Sequence, residues 1–263
     1  KVIGITTKPN LVSGQELGKR LTDLPWWRMH YNTPLKRFLG LSAVEIIQAK
    51  AEWVNPEQRS VRVRLPDGLD RVIRYDYLVI ASGTSNGFWR DDSIRSATEI
   101  DDALQADAAR IETANTIAVV GGGPCGVSCA LNIRRADPTK QVTLYFSGDQ
   151  PLVGYHPTAQ DYYDKLLKDA GVTLQNNDRA IVPSVTPASG LINFESGASA
   201  EAETILWTVG NREPHSQYLP TELLDAEGFV KTQSTLEVEG SDTIFAIGDV
   251  ASTDPDRSSA RNW

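Results

Sequence analysis

Residues that build disulfide-rich or metal-binding proteins are scarce in this sequence. Of its 263 residues, 2 are cysteine and 3 are histidine. Two cysteines cannot form a disulfide framework, so a reducing, intracellular compartment is favoured. His30, His156 and His215 are scattered without the spacing of metal ligands, so we predict no metal site.

Long apolar runs and clustered positive charge are also lacking. No stretch approaches the roughly 18 uninterrupted apolar residues of a spanning helix, and the start at Lys1 resembles a strand rather than a signal peptide. The formal net charge is −8, and no run of lysine or arginine offers the clustered cations that nucleic acid requires. We therefore expect no nucleic-acid partner, no spanning segment, and a location that is cytoplasmic or peripheral to a membrane.

The sequence does contain apolar strands that alternate with helices, which is typical of an α/β fold. The apolar run 77–81 predicts a central strand buried on both faces. Residues 96–112 have helical spacing with an acidic first turn. A strand at 116–120, a helix after residue 126 and a strand at 141–146 then form a βαβ unit.

The glycine-rich turn inside this unit is the strongest local signal. Gly121, Gly123 and Gly126 satisfy G-x-G-x-x-G between a predicted strand and a predicted helix, with Gly122 and Pro124 between them. The first glycine permits the tight turn, the second lets the backbone approach a pyrophosphate, and the third lets helix and strand pack closely. The alternative is a glycine-rich turn with no ligand, which the strand-and-helix context disfavours.

The end of the next strand does not identify the cofactor. Many NAD sites place an acidic residue there to hold the ribose hydroxyls. This strand ends at Phe146 and Ser147, and the nearest acid is Asp149. No arginine stands there for a 2′-phosphate either, so the choice between NADH and NADPH stays open.

Three further strands end in small residues. Ser82 and Gly83 follow the run 77–81, Gly210 follows the strand near 204–209, and Gly248 and Asp249 follow the strand 243–247. Alone, the last pair would be better interpreted as an ordinary Gly-Asp turn. A strand that ends in an aspartate could also place a carboxylate against a ribityl hydroxyl.

Taken in order, four segments resemble the motifs of the pyridine-nucleotide flavoprotein oxidoreductases: YLVIASGT, AVVGGGPCGV, ILWTVGNREP and TIFAIGDVA. The sequence looks most similar to type II NADH dehydrogenases and to apoptosis-inducing-factor-like and ferroptosis-suppressor-like enzymes. The resemblance implies an α/β, three-layer ββα architecture with two Rossmann-like dinucleotide-binding domains. The NAD(P) domain, at residues 113–235, would be inserted into an FAD domain formed by 1–112 and 236–263.

The resemblance also implies a function. Members pass a hydride from NAD(P)H to FAD and the electrons on to a quinone or another small-molecule acceptor. Since the cofactors carry that chemistry, we predict no catalytic side chain. The implied FAD contacts are Ser82, Gly83, Gly248, Asp249 and, as a weaker candidate, Lys8. The implied nicotinamide-dinucleotide contacts are Gly121, Gly122, Gly123, Pro124, Gly126 and Gly210.

The sequence departs from the family pattern at three places. No FAD fingerprint precedes Lys1, the chain stops soon after Asp249, and Ser128 stands where many members have a glutamate near the nicotinamide. The missing C-terminal domain usually forms the dimer or membrane face, so a homodimer is an expectation for the intact protein only. We expect this chain to bind FAD poorly, and the alternative function is a truncated or non-catalytic nucleotide-binding fragment.

A second alternative is a flavoprotein that uses another reductant, such as sulfide. That chemistry would need redox cysteines near the flavin. Cys125 and Cys129 lie instead at the start of the helix on the nucleotide side, where we interpret them as packing residues.

Overall fold

The computed structural model describes residues 1–12, 16–85, 91–209 and 213–252. Within these ranges the α-helices, in chain order, are α1 (Leu17–Thr22), α2 (Leu24–Tyr31), α3 (Ala97–Thr113), α4 (Pro124–Ala136) and α5 (Pro157–Asp169).

The strands of the described residues are short, and most have between three and six residues. In chain order they are β1 (Val2–Thr6), β2 (Asn10–Val12), β3 (Asn32–Pro34), β4 (Val44–Gln48), β5 (Lys50–Asn55), β6 (Ser60–Arg64), β7 (Asp70–Arg74), β8 (Leu78–Ile80), β9 (Thr84–Ser85), β10 (Thr116–Val120), β11 (Gln141–Tyr145), β12 (Thr173–Gln175), β13 (Gly190–Asn193), β14 (Ser199–Ala202), β15 (Thr204–Trp207), β16 (Glu213–Pro214) and β17 (Ile244–Ala246).

The chain divides into two compact units, and each is assembled from separate stretches of sequence. The first consists of Lys1–Pro9, Phe38–Ser96 and Asn211–Trp263, and the second of Asn10–Arg37 and Ala97–Gly210. The two units are defined by how compactly their residues pack. The predicted limits of the FAD domain (1–112 and 236–263) and of the NAD(P) domain (113–235) concern which nucleotide each part binds. Those limits stay a prediction.

Small sheets make up the first unit. β1 pairs in parallel with β4, β8 pairs in parallel with β17, and β5, β6 and β7 form an antiparallel meander. The turn before β7 contains Gly68, which has a φ of +85°, a conformation that glycine adopts without a Cβ penalty. Side chains of the meander and of β8 and β17, including Val63, Ile80 and Ile244, pack into one buried cluster.

A four-stranded parallel sheet forms the centre of the second unit, in the order β12-β11-β10-β15. Helix α4 connects β10 to β11, and α5 connects β11 to β12. In β10, the four residues from Ile117 to Val120 are all buried, as expected for a parallel strand covered on both faces. The β13–β14 hairpin covers one face through Ile192, which packs with Val120 and Trp207.

Helices α1 and α2 belong to this second unit. Helix α1 packs against α3 and α4, and at Gly18 the approach is so close that a Cβ there would overlap the Ser128 carbonyl oxygen. Trp27 of α2 is fully buried beside Ile100 and Leu104 of α3. Helix α1 therefore packs on α4, the helix that follows the glycine-rich turn, and α2 packs on α3.

The predicted α/β class with parallel sheets is confirmed, and the βαβ unit lies where the sequence placed it. The expectation of a central strand buried on both faces at residues 77–81 was wrong, because β8 pairs only with β17 among the described residues. Val79 is 56% exposed, while only Ile80 of β8 is buried. The described residues contain no helix that is both long enough and apolar enough to span a membrane.

Candidate dinucleotide-binding site

The glycine-rich turn lies between the end of β10 and the start of α4. Gly121 has a φ of +124°, which L-residues with a side chain rarely adopt. Gly123 caps the helix with extended backbone, and Pro124 takes the first helical position. Proline fits there because the missing N–H would have no partner inside the helix. Each residue type thus matches the backbone it must adopt.

Gly126 is required by the close approach of helix and turn. A Cβ built on Gly126 would overlap the Gly121 carbonyl oxygen and lie 2.7 Å from Thr208 Oγ1. This is the role expected of the third fingerprint glycine, which brings helix and strand into contact. Any side chain at this position would push α4 away from the turn.

Gly123, in contrast, faces open space. A Cβ built there would meet no atom within 4 Å, so packing inside the protein does not require glycine. The residue lies at the amino end of α4, where N–H groups and the positive end of the helix dipole favour an anion. An open, uncrowded backbone at this place fits close approach by a pyrophosphate.

Gly122 is in contact with the segment that follows β11. A Cβ on Gly122 would lie 2.8 Å from Phe146 Cβ, and the Leu152 N–H donates to the Gly122 carbonyl oxygen at 2.7 Å. Leu152 is buried with a φ of +61°. Sequence reasoning did not find Leu152, because no local pattern shows that this loop folds back onto the turn.

Thr208 is the second residue of the site that sequence reasoning missed. It follows β15, whose parallel pairing with β10 brings the carboxyl ends of both strands to one edge of the sheet. Its Oγ1 donates to the Val120 carbonyl oxygen at 2.9 Å and lies 3.3 Å from the Gly121 oxygen. The rule that neighbouring parallel strands end together could have identified it.

The end of β11 carries no acid in the structure either. Phe146 is buried against the glycine turn, and Ser147 is exposed. The side chain of Asn176 donates to the backbone oxygen of Asp149 at 3.0 Å, which ties this loop to the residues that follow β12.

The candidate FAD residues form a separate group within the first unit. β8 and β17 are parallel neighbours, with Ile80 opposite Ala246. The Ser82–Gly83 and Gly248–Asp249 pairs therefore follow adjacent strands at the same edge. Gly83 and Gly248 have φ values of +68° and +74°, and Cβ atoms on either would meet nothing within 4 Å. The structure brings these two motifs together and leaves space beside them.

Ser82 is tied to the segment near residue 215. Its Oγ donates to the His215 carbonyl oxygen at 2.6 Å and accepts from the Tyr218 hydroxyl at 3.2 Å. His215 Nδ1 lies 3.1 Å from the Ser82 carbonyl oxygen, and the His215 N–H donates to the Gly83 carbonyl oxygen at 3.0 Å. Burial raises the pKa of the Tyr218 hydroxyl.

His215 and Tyr218 also line a cavity of about 470 Å³ in the first unit. Lys50 and Asp92 face each other on its wall, with Lys50 Nζ 2.7 Å from Asp92 Oδ2. The hydrogen bond from Lys50 holds the pKa of the Asp92 carboxyl below its usual value. An ion pair and a concave space thus lie beside the Ser82 motif.

Lys8 uses its ammonium group within the protein. Lys8 Nζ donates to the backbone oxygens of Asp91 and Ser93, at 2.8 Å and 3.1 Å, and lies 3.4 Å from Asp91 Oδ1. These contacts hold residues 91–93 beside the end of β1. A role for Lys8 at FAD stays a prediction.

The remaining features that the sequence singled out are Gly210, the two cysteines and the candidate metal ligands. Gly210 lies outside the described residues. Cys125 and Cys129 lie in α4 and are not joined in a disulfide, and Cys129 is fully buried. Burial raises the pKa of the Cys129 thiol to about 12. Within the described ranges no group of three or more His, Cys, Asp or Glu side chains could hold a metal ion.

Comparison with known proteins identifies similar sequences over most of the chain. The family model described as pyridine nucleotide-disulphide oxidoreductase matches residues 16–262. The oxidoreductase ptaL of Pestalotiopsis fici is 28% identical over 193 residues, covering 72% of this chain and 51% of that protein. Apoptosis-inducing factor homolog B of Dictyostelium discoideum is 28% identical over 222 residues, covering 73% of this chain and 55% of its own. The chain thus spans about half the length of these curated relatives.

Solved structures show the same fold. NDH2 from Plasmodium falciparum in complex with NADH superposes with a TM-score of 0.75 at 17% identity. The match covers 95% of this chain and 59% of that one. At this identity the likeness concerns the fold, and it agrees with the two-domain Rossmann-like architecture that the motifs predicted.

Proposed function

Because the chain belongs to the pyridine nucleotide-disulphide oxidoreductase family, we propose that it binds NADH or NADPH at the Gly121–Gly126 turn. The proposal depends on one observation above all. Gly126 is closed to any side chain by packing, whereas Gly123 faces open space at a helix N-terminus. Packing explains why residue 126 is glycine. Packing does not require glycine at residue 123, and close approach of a pyrophosphate to the backbone would favour it there.

The nucleotide contacts follow from this geometry. The pyrophosphate would lie against Gly122, Gly123 and the first turn of α4, where backbone N–H groups and the helix dipole favour negative charge. Gly121 and Gly126 would give the turn its shape. The adenosine ribose would lie towards Ser147, at the end of β11. Gly210 is proposed on the resemblance alone.

We propose FAD as the second cofactor of the intact protein. Its contacts would come from the edge where β8 and β17 end, through Ser82, Gly83, Gly248 and Asp249. Two observations support this placement: the parallel pairing of the two strands and the open space at both glycines. The FAD pyrophosphate would need a further loop, for which this chain offers no fingerprint.

The chemistry that the two cofactors supply when bound is hydride transfer from the reduced nicotinamide to the flavin, with delivery of the electrons to an acceptor. The chain's own residues bind and orient. The α4 N-terminus fixes the phosphates, the buried β10 strand fixes α4, and the Ser82–His215 hydrogen bonds fix the end of β8. A quinone or another small molecule is proposed as acceptor.

A second candidate function is nucleotide binding without flavin chemistry. Ser128 supports it, because the resemblance implies a glutamate near the nicotinamide at this position in many members, and the serine side chain carries no charge. In that case the chain would bind a nicotinamide nucleotide and retain no FAD.

An absorbance spectrum of the purified protein and titration with each nucleotide would separate the candidates. A flavin spectrum that one nucleotide bleaches supports the oxidoreductase and identifies the donor. A colourless protein that still binds a nicotinamide nucleotide supports the second candidate. A colourless protein that binds neither nucleotide contradicts both.

A further inference from the structure

We propose that Thr208 is a positioning residue for nicotinamide-dinucleotide binding. Its hydroxyl would hold the glycine turn in the shape that receives the pyrophosphate, without touching the ligand itself. The inference rests on the proposed function. Thr208 lies in the segment ILWTVGNREP, and the resemblance of that segment to the family assigns no role to the Thr208 side chain.

Thr208 is attached to the turn at both its backbone and its side chain. Its N–H and its Oγ1 both donate to the Val120 carbonyl oxygen, each at 2.9 Å. The same Oγ1 lies 3.3 Å from the Gly121 carbonyl oxygen. A hydroxyl has one proton to donate and can rotate, so Thr208 can hold either of these consecutive carbonyl oxygens.

The hydroxyl also fills the space between the two glycines that shape the turn. Thr208 Oγ1 lies 2.6 Å from the place of a Cβ on Gly121 and 2.7 Å from that of a Cβ on Gly126. The oxygen therefore packs against both glycine residues at once. The Thr208 hydroxyl thus occupies the space that a side chain on Gly121 or on Gly126 would need.

Such a restraint has a consequence for the ligand side of the turn. Glycine has many backbone conformations of similar energy, so a turn with three consecutive glycines needs outside contacts to hold one shape. The peptide between Gly121 and Gly122 is trans, since the described residues contain no cis peptide. A trans peptide directs its C=O and N–H to opposite sides, so a Gly121 oxygen turned towards Thr208 directs the Gly122 N–H away from it.

The test compares variants that change one property of Thr208 at a time. Thr208→Val removes the hydrogen-bond donor and keeps the branched shape, while Thr208→Ser keeps the hydroxyl and removes the methyl group. Thr116→Val is the matched control. Thr116 lies at the opposite end of β10, and its Oγ1 accepts the Glu203 N–H at 3.0 Å.

We expect the dissociation constants for NADH and NADPH to rise roughly 3- to 10-fold in Thr208→Val, because without the hydroxyl the free turn would occupy its binding shape only about a third to a tenth of the time. A population shift of this size is within what one hydrogen bond can produce. Thr208→Ser should bind within about twofold of the wild type, since one retained hydroxyl rescues the contact. Thr116→Val should lower the Tm as Thr208→Val does, while its nucleotide affinity stays that of the wild type. A purely structural role for Thr208 would not separate these two valine variants.

Two results would overturn the inference, and they differ. If the wild type binds nucleotide and Thr208→Val binds equally well, Thr208 does not position the turn, and the proposed function stands. If the wild type binds neither NADH nor NADPH, the proposed function fails and the inference fails with it. Should Thr208→Val not fold, Thr208→Ala removes the same hydroxyl without placing a methyl group against the glycines, and the same comparison applies.

Discussion

Replacing Gly126 with alanine sets two physical effects against each other. Gly126 lies in the first turn of α4, and alanine in a helix is favoured over glycine by about 1 kcal/mol. The new methyl group would also lie 2.7 Å from Thr208 Oγ1 and 3.0 Å from the Gly121 carbonyl carbon, and closer still to the Gly121 oxygen. Two of these atoms belong to the backbone, so no side-chain rotation can relieve the overlap.

We expect packing to prevail. Overpacking costs about 1–3 kcal/mol, and the upper part of that range, about 2–3 kcal/mol, applies here because the overlapping backbone atoms cannot rotate away. After the gain in helix propensity, a net loss of about 1–2 kcal/mol remains. For a chain of this size, each kcal/mol corresponds to roughly 2–4 °C in Tm. We therefore predict a fall in Tm of roughly 2–8 °C in a thermal melt followed by circular dichroism.

Gly123→Ala is the matched control for this experiment. Gly123 has φ −75° and ψ 178°, which any residue adopts, and a Cβ there meets no atom within 4 Å. Its Tm should equal that of the wild type, while its nucleotide affinity should fall by about tenfold, or about 1.4 kcal/mol. A Gly126→Ala variant as stable as the wild type, or more stable, would refute the packing argument.

The remaining predictions concern stability and thiol chemistry. Lys140→Met should cost about 1–3 kcal/mol in urea unfolding, because Lys140 is 8% exposed and its ammonium donates to two backbone oxygens at the end of α3; the exposed Lys165→Met should change stability by less than about 0.5 kcal/mol, and equal losses would contradict this. In native Cys125→Ser, a thiol reagent at neutral pH should label Cys129 only after unfolding, since its pKa is raised to about 12 by burial and the thiolate is the reactive form; rapid native labelling would refute it. The pKa of Asp92 is lowered when folded, so its stabilising effect should be full above about pH 4 and vanish as the pH falls through the lowered value; a stability gap between wild type and Asp92→Asn that widens towards low pH would oppose this sign.

Local patterns in the sequence predicted the parts of the site that lie on one continuous segment. The turn from Gly121 to Gly126 is followed by its helix and preceded by its buried strand, as the spacing indicated. The conformations agree as well, since Gly121 has a positive φ and a Cβ on Gly126 would overlap the Gly121 carbonyl oxygen. These features depend on residues within a few positions of one another, which is why a short pattern carries them.

Contacts between distant segments were not predictable in the same way. Thr208 and Leu152 reach the turn from the end of β15 and from the loop after β11. Leu152 belongs to no motif, and the segment ILWTVGNREP contains Thr208 without indicating its contact with the turn. Val79 was expected to be buried because its neighbours are apolar, yet apolar sequence does not specify what covers a strand. Lys8, a candidate FAD contact, donates to the backbone oxygens of Asp91 and Ser93, a contact that only tertiary structure reveals.

The central claim is that the Gly121–Gly126 turn binds a nicotinamide dinucleotide. The most direct test is calorimetric titration of the purified wild-type protein and of Gly123→Ala with NADH and with NADPH. The account predicts saturable one-site binding of at least one nucleotide by the wild type, and weaker binding by a Gly123→Ala variant whose Tm is unchanged. Absence of binding by the wild type, or equal affinity in the two proteins, would contradict it.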